Sequence, residues 1–600
     1  MEVVMNIKKT KNTQGRINIA ISQSYRDAQG KSKSRVIKGL GYLDVLEQDH
    51  TDPWAFINAE LHTAQEHYDK QNIVAKLPIP LNEKLSFDDP SLIKNFGYAA
   101  FSKFYHALEI DYFINNRRRY TDASFNHNAI FKMLVYSRLI NPGSKKLNWE
   151  QRFQFFDKMD FSLAHVYRSL DFFAAHADQL SKAVDARIEH LYGRDKSVFY
   201  YDVTNYYFEI DREDDLRKRG PSKEHRKTPI IQMGLFLDAQ GIPVSYKLFE
   251  DNTHDSSTFS PAARELQTNH QHAGSRCIVV ANNAMFSGDN IRQLGIHGNG
   301  YIIAYSLKGG KEAFKQFAFD PEGYFFMDRT TDPKTGKVTR VKRPWKPEEP
   351  HAHEVRRFKE LVTPLEIWLS NLKGKKKSFQ LDAVKLVISY SPEYAAKAQQ
   401  ERERVLNKTQ KVINSGQLFG SRDSRKYILS TPFSKNNGEQ VDAEYVYEID
   451  EEKVAYDALF DGFHALVTSE LDMSAAQVIR QYHGLWEIEE TFRISKSELK
   501  TRPVFVADKK HIEAHFLICF LALTILRLLD KQLDNQYSTE EILKNLRECK
   551  AYYLGDNIYR FYHSSKCLND IGKFTGIDFS RKYLTKQEIV EVLAETKKTY

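Results

Sequence analysis

SVFYYDVTNYYFE, Ser197 to Glu209, is the stretch on which the fold turns. Its aromatic and β-branched residues favour a strand. Asp202 stands in the middle, where a buried carboxylate needs a cation or hydrogen-bond donors to offset its desolvation. Two more strands follow, Ile230 to Leu237 and Ile242 to Phe249, joined by the turn DAQG, so the three read as an antiparallel set. A polar loop, DNTHDSS, leads to a helix from about Thr258 to Asn269. Then come the apolar strand CIVVA (Cys277 to Ala281), a helix beginning near Ser287, and the strand YIIAYS (Tyr301 to Ser306).

Three antiparallel strands followed by alternating helix and strand match the ribonuclease-H-like order. The fold class expected is a multidomain α/β protein with such a core. There, an acid on the first strand, one at the end of the fourth and one on a late helix converge to hold two divalent ions, which activate a nucleophilic oxygen and stabilise a leaving oxygen. The late helix is YHGLWEIEETFRISK, Tyr482 to Lys496. Helical spacing puts Tyr482, Trp486, Glu489, Arg493 and Lys496 on one face, beside an apolar stripe of Leu485, Ile488 and Phe492. The plainer alternative is an amphipathic helix with solvated charges, and Trp486 reads equally as a base-stacking or a packing residue. Asp202 and Glu489 fit the first and last acid positions, while the fourth strand ends at Asn282. An amide has the shape of a carboxylate without its charge. If that costs ~4 kcal/mol in the transition state, the rate falls roughly a thousandfold. Asp289, seven residues on, is a weaker substitute.

The distance from Asn282 to Glu489 exceeds what a bare core needs and requires an insertion. Residues 307–462 supply it, with short strands such as Ala383 to Ser389 and a helix near Pro392 to Ile413. TDPKTGKVTRVKRPWK (Thr331 to Lys346) reads there as a basic hairpin turning at Thr335 and Gly336, with Lys342 and Arg343 as candidate DNA contacts. The run KGKKK (Lys373 to Lys377) is a weaker one. The chain thus divides into a basic β-hairpin region (1–52), a helical DNA-binding or packing domain (53–195), the first part of the core (196–306), the inserted β-rich domain (307–462), the second part of the core (463–535) and a helical C-terminal region (536–600).

Of 600 residues, 87 are Lys or Arg and 79 Asp or Glu, and most of the net charge of +8 sits at the N-terminus: residues 1–40 carry nine basic side chains against two acidic ones. Such clustering is the footprint of a phosphate-backbone binder. Ile17, Ile19 and Ile21 alternate, RDAQGK supplies a turn, and Ser34 to Leu40 returns, a hairpin offering Lys8, Lys9, Lys11 and Arg35 to DNA. Pro53 to Lys70 reads as helix, LPIPLNEK (77–84) as linker, and Ala129 to Leu139 as helix, with Arg138, Lys145 and Lys146 open to DNA contact. Four cysteines without metal spacing argue against a secreted disulfide scaffold and for an intracellular, cytoplasmic protein. The longest apolar run, Phe516 to Leu526, is too short to span a bilayer and reads as a core helix. His511 and His515 lie four apart with no third metal ligand in sight, and the HAH at His351 to His353 reads as solvated.

The motifs YDVTNYYFE, EDNTHDSSTF (Glu250 to Phe259), VVANNAMFS (Val279 to Ser287) and YHGLWEIEETFRISK, with the KTRPVF segment and the basic N-terminal part, together resemble the bacterial insertion-sequence DDE transposases with a Tyr, Arg, Glu, Lys signature. The resemblance implies metal-dependent cleavage and strand transfer of element ends. Asp202, Asn282 and Glu489 would be ligands of two Mg2+ ions, with Mn2+ able to substitute. It implies that Tyr482 and Lys496 contact DNA near the cleaved phosphate. Leu485 stands where the family has its Arg, which leaves Arg493 to compensate. Partners implied are double-stranded DNA with transposon ends, target DNA and a second copy of the chain in a synaptic homodimer, at the nucleoid and with no membrane. With Asn282 at the second acid position, either as an isosteric change that traps a DNA complex or as the mark of a decayed copy, impaired catalysis is expected. Two other readings stay open: a non-catalytic DNA-binding derivative of a transposase, and a structure-specific nuclease on the same core.

Overall fold

The computed structural model describes residues 5–26, 32–71, 82, 93–209, 213–214, 217–218, 228–250, 253–269, 276–331, 338–370, 376–415, 425–433 and 444–598. The chain divides into two compact units, Met1–Leu85 with Leu554–Asp556, and Ser86–Tyr553 with Asn557–Tyr600.

In the first unit, β1 (Met5–Lys11), β2 (Ile17–Arg26) and β3 (Ser32–Tyr42) form an antiparallel meander, followed by α1 (Leu43–Asp49) and α2 (Pro53–Gln71). The alternating isoleucines of β2 account for it. Ile19 and Ile21 are fully buried, and Ile19 packs with Leu46 and Ile57 of the two helices. The expected hairpin is β2–β3. β1 is an addition, because Met5 and Ile7 alternate over too few residues to register as a strand. Residues 27–31 of the RDAQGK turn lie outside the described residues, as does LPIPLNEK apart from Asn82.

The second unit opens with β4 (Ile93–Asn95) and the helices α3 (Tyr98–Ala107), α4 (Ile110–Arg118), α5 (His127–Ile140), α6 (Lys145–Glu150), α7 (Leu163–Ala175) and α8 (Ala177–Tyr192). Then come β5 (Val198–Tyr207), β6 (Ile230–Asp238), β7 (Pro243–Glu250), α9 (Asp255–Asn269), β8 (Ile278–Ala281), α10 (Gly288–Ile296) and β9 (Gly300–Tyr305). β5, β6 and β7 pair antiparallel, while β8 runs parallel to both β5 and β9. The stretch expected as an insertion holds α11 (Glu312–Phe319), β10 (Phe325–Thr331), β11 (Val338–Pro344), β12 (Arg357–Ser370), β13 (Lys376–Tyr390), α12 (Pro392–Asn414), β14 (Ile428–Phe433), β15 (Glu444–Ile449) and α13 (Glu451–Ala458). It is β-rich, and four of its strands continue the core sheet: β16 (Phe463–Thr468) pairs with β9, and β13 pairs with β16. The result is a ten-stranded sheet in the order β11-β10-β12-β13-β16-β9-β8-β5-β6-β7. The turn at Thr335–Gly336 and Lys373 to Lys375 of KGKKK lie outside the described residues.

The chain closes with α14 (Ala475–His483), α15 (Trp486–Ser497), α16 (Lys509–Gln532), α17 (Thr539–Glu548), β17 (Lys550–Gly555), β18 (Ile558–Phe561), α18 (Lys566–Thr575), β19 (Tyr583–Thr585) and α19 (Lys586–Glu595). A helical C-terminal region is expected from the sequence, yet β19, β18, β17 and β4 form a small sheet. Its hairpin turns at Gly555, Asp556 and Asn557, all with positive φ. α16 is long and apolar enough to cross a membrane, with a mean hydropathy of 2.0, but 94% of its apolar window is buried within the protein.

Strand periodicity sorts the side chains of β5 into two layers. Phe199, Tyr201 and Val203 join the core that includes Phe259 of α9 and Ile291 of α10. Val198, Tyr200 and Tyr206 join the core built with Ile488 and Phe492 of α15 and with α16. Asp202 therefore falls on the face that α15 covers.

Candidate active site

Parallel pairing of β5 with β8 sets Tyr201 against Ala281, so Asn282, just past the end of β8, comes next to Asp202 in the middle of β5. Asp202 is 7% exposed. The Asn282 Nδ2–H donates to Asp202 Oδ1 at 2.6 Å, while Asn282 Oδ1 accepts from the Ala284 N–H at 3.0 Å and caps the short 3-10 turn Asn283–Met285. The amide therefore occupies a lone pair of Asp202 that a cation would otherwise take.

The signature segment departs from the single helix expected of it. Gly484 and Leu485 separate α14 from α15 through i to i+3 bonds, Leu485 N–H to Tyr482 O and Glu487 N–H to Gly484 O. The cause is Gly484: a Cβ there would lie 2.0 Å from the Tyr200 hydroxyl oxygen, so the backbone rests on the Tyr200 ring. Tyr482 thus ends one helix, and Trp486, Glu489, Arg493 and Lys496 belong to the next. Burial raises the Tyr482 hydroxyl to about 12, helped by the charges of Glu489 and Asp202. Glu489 is exposed on α15.

The expected apolar stripe is buried: Leu485, Ile488 and Phe492 are between 0% and 6% exposed. Leu485 faces the core, which leaves no room for a solvent-directed Arg. Arg493, expected to compensate, instead forms a two-pronged ion pair with Glu490 at 2.6 and 2.7 Å. Trp486 is 57% exposed at the start of α15, and the half-buried Lys496 ammonium lies 5.8 Å from the Tyr206 ring centroid.

Other expected contacts separate by environment. In the second unit, Lys342 sits over the Phe325 ring at 4.2 Å and Arg343 pairs with Asp328 at 3.0 Å, both on the wholly exposed β11. In the first unit, Lys9 lies over the Trp54 ring at 4.1 Å and Arg35 donates to Gln23 Oε1 at 2.7 Å, so both are held by their own fold. Lys11 is exposed on β1, and Lys8 is half-buried there. Arg138 and Lys145 are corrected from DNA contacts to buried structural cations. Arg138 donates to Leu499 O and Lys500 O, and the Lys145 ammonium donates to His515 Nδ1 at 3.1 Å. His515 is thereby committed to Lys145 and Thr501, away from His511, which neighbours Asp171 and Asp508. Lys146 pairs with Glu150 across 3.8 Å of surface, and His351 and His353 are exposed beside Glu354. Asp289 accepts from the Ser370 N–H on both its oxygens, which assigns it to β12 rather than to Asp202.

Sequence reading missed a cleft of about 680 Å³ that opens beside Tyr482. Arginines 329, 340, 356, 357 and 480 line it with His464, whose ring lies 5.0 Å from that of Tyr482. Burial pushes His464 down to about 4. These residues are spread over more than a hundred positions, and only the basic hairpin holding Arg340 and the RR pair at 356–357 hint at them.

The sequence profile of the transposase DDE domain matches residues 193–525, more than half of the chain. That of the IS1634 family transposase N-terminal domain matches residues 6–73. The chain belongs to the insertion-sequence DDE transposases. Such enzymes work with divalent metal ions. Among solved structures, the piggyBac transposase synaptic complex with hairpin DNA is similar to this transposase at 7% identity and TM-score 0.33, over 84% of this chain and 85% of that one. The Mos1 transposase paired-end complex with left transposon end is similar at 9% identity and TM-score 0.14, over 30% of this chain and 60% of that one. No curated protein matches the transposase.

Proposed function

We propose that this transposase cuts element ends and joins them to target DNA at the face carrying Asp202, Asn282 and Glu489, on a ribonuclease-H-like core, and that Asn282 holds the chain in a catalytically impaired form. The observation that carries this reading is the 2.6 Å bond from Asn282 Nδ2 to Asp202 Oδ1. An aspartate at 282 would keep the cap to Ala284 N–H through one oxygen and turn its other oxygen onto Asp202. Two carboxylate oxygens at that separation repel unless a cation lies between them.

The donor set is all oxygen and suits hard ions such as Mg2+ or Mn2+. With Asn282 it carries two negative charges instead of three, which fits one dication better than a pair. When bound, the ions supply activation of the attacking oxygen and neutralisation of the leaving one. The rest falls to the chain. Asp202, buried in the middle of β5, fixes one ligand oxygen, and Glu489 brings a second carboxylate from α15. Tyr482 stays protonated at neutral pH and can donate to a phosphate oxygen. Lys496 adds a cation on the same helix, and Trp486 offers an exposed ring to an unpaired base. The basic first unit is assigned to end recognition, and the active assembly to a homodimer.

The test compares this chain with Asn282→Asp, using Mn2+ titration calorimetry and cleavage of a DNA carrying the element end. The substituted chain is expected to bind Mn2+ more tightly and to cleave roughly a thousandfold faster, as ~4 kcal/mol implies, with DNA affinity unchanged. Equal metal affinity and no gain in cleavage would return the reading to a DNA-binding derivative.

A further inference from the structure

The cleft beside Tyr482 concentrates positive charge that is mostly without ion-pair partners among the described residues. Arg329 and Arg340 stand directly opposite each other on β10 and β11, where like charges oppose pairing. Neither has an ion-pair partner among the described residues, and the same holds for Arg480 in the last turn of α14. Arg356 alone of the five is paired, with Glu393 at 3.0 Å. Arg357 is more telling. Its guanidinium is caged by the rings of Tyr390, Trp345 and Tyr324 at 3.9, 4.1 and 5.3 Å. Its Nε is buried without a hydrogen-bond partner. A cation held by aromatic faces, with no carboxylate paired to it among the described residues, is poised for an anion from outside.

Shape narrows the class of anion. About 680 Å³ is the volume of a small-ligand site, with room inside for a nucleotide or two. The walls also include Phe358, Tyr390, Tyr394 and Tyr482, and Tyr394 is 53% exposed. Cations to follow a backbone and rings to take bases are the two parts of a single-strand site. Tyr482 lines this cleft and ends α14, which leads directly into α15 with Glu489.

We propose that this cleft binds an unpaired DNA strand: Arg329, Arg340, Arg357 and Arg480 engage its phosphates, Tyr394 stacks on a base, and the strand runs past Tyr482 toward Asp202 and Glu489. The inference rests on the transposase reading of the Asp202 face, but its test needs no catalysis. Binding of a fluorescein-labelled thymidine dodecamer to the full chain is followed by anisotropy across a salt series, beside a blunt duplex of the same length. Arg329→Ala with Arg340→Ala, two exposed positions that spare the fold, is expected to weaken single-strand binding tenfold or more. It should also flatten the salt slope by about 1.4, two phosphate contacts at ~0.7 each. Tyr394→Ala is expected to weaken it at least fivefold with the salt slope unchanged. Duplex affinity should hold in both. Unchanged single-strand affinity in the arginine variant, or an equal loss on duplex, overturns the inference. Nicking by the Asn282→Asp chain, run in parallel, reports separately on the transposase reading.

Discussion

One missing methyl group lets the two halves of the signature meet. Gly484 sits against Tyr200, and a Cβ added there would lie 2.0 Å from Oη and 2.4 Å from Cζ. The ring has nowhere to go, being 5% exposed between β5 and α14. Gly484→Ala is therefore expected to push α15 off the sheet, lowering stability by about 1–3 kcal/mol in urea unfolding. Adding Tyr200→Leu should recover most of the loss. If Gly484→Ala alone leaves the urea midpoint unchanged, the close approach is not a constraint. A glycine inside a helical pattern costs only about 1 kcal/mol against alanine, which is why the sequence pattern runs straight through it. By contrast Asp202, Asn282 and Glu489 were readable as residues. Acids, or an isostere of one, stood at the middle of a strand, the end of another and an exposed helix face, and β5–β8 pairing brings the first two together.

At the scale of elements, α15 is held by arginines at both ends. Arg527 of α16 reaches Glu487 at 2.5 Å and Asp530 at 3.0 Å, and Arg547 of α17 reaches Glu498 at 3.2 Å. Burial raises the Asp530 carboxyl, with the Arg527 charge acting against it. Removing that cation leaves two acids facing each other. Arg527→Met is thus expected to cost about 2 kcal/mol, less than a fully buried pair would because Glu487 is partly exposed. A lowered urea midpoint at constant m would show it, and Arg527→Lys should restore only part, lacking the fork that spans both carboxylates. Elements with clean periodicity were legible in advance: β5 through β9, α9, α10, α12 and the core helix α16. Pairing between distant strands was not. Nothing local in LVISY or FHALVT says that β13 and β16 extend the edge at β9, since apolar alternation fixes which face is buried and not which neighbour is hydrogen-bonded.

For the second unit as a whole, four histidines that burial keeps neutral, His106, His127, His464 and His515, tie stability to pH. Burial pushes His106 down to about 3 and His127 and His464 to about 4, from an ordinary value of 6.5. The folded protein keeps all four neutral, whereas the unfolded chain protonates them near 6.5. Depressed folded values mean that the stability is whole above about pH 6.5 and falls as pH drops, because unfolding then takes up protons. The loss stops near pH 4 for His127 and His464 and near pH 3 for His106. Each histidine contributes a slope of up to about 1.4 kcal/mol per pH unit inside its window. The unfolding midpoint should therefore be flat from pH 8 to 7 and decline steeply from 6 to 4.5, before most carboxylates titrate. His127→Gln, at the ring that meets Ser169 Oγ at 2.9 Å, removes one titrating group of four and should shallow the decline by about a quarter of the histidine contribution. A midpoint that holds steady down to pH 5 in the unsubstituted chain would mean that these rings are not kept neutral by the fold.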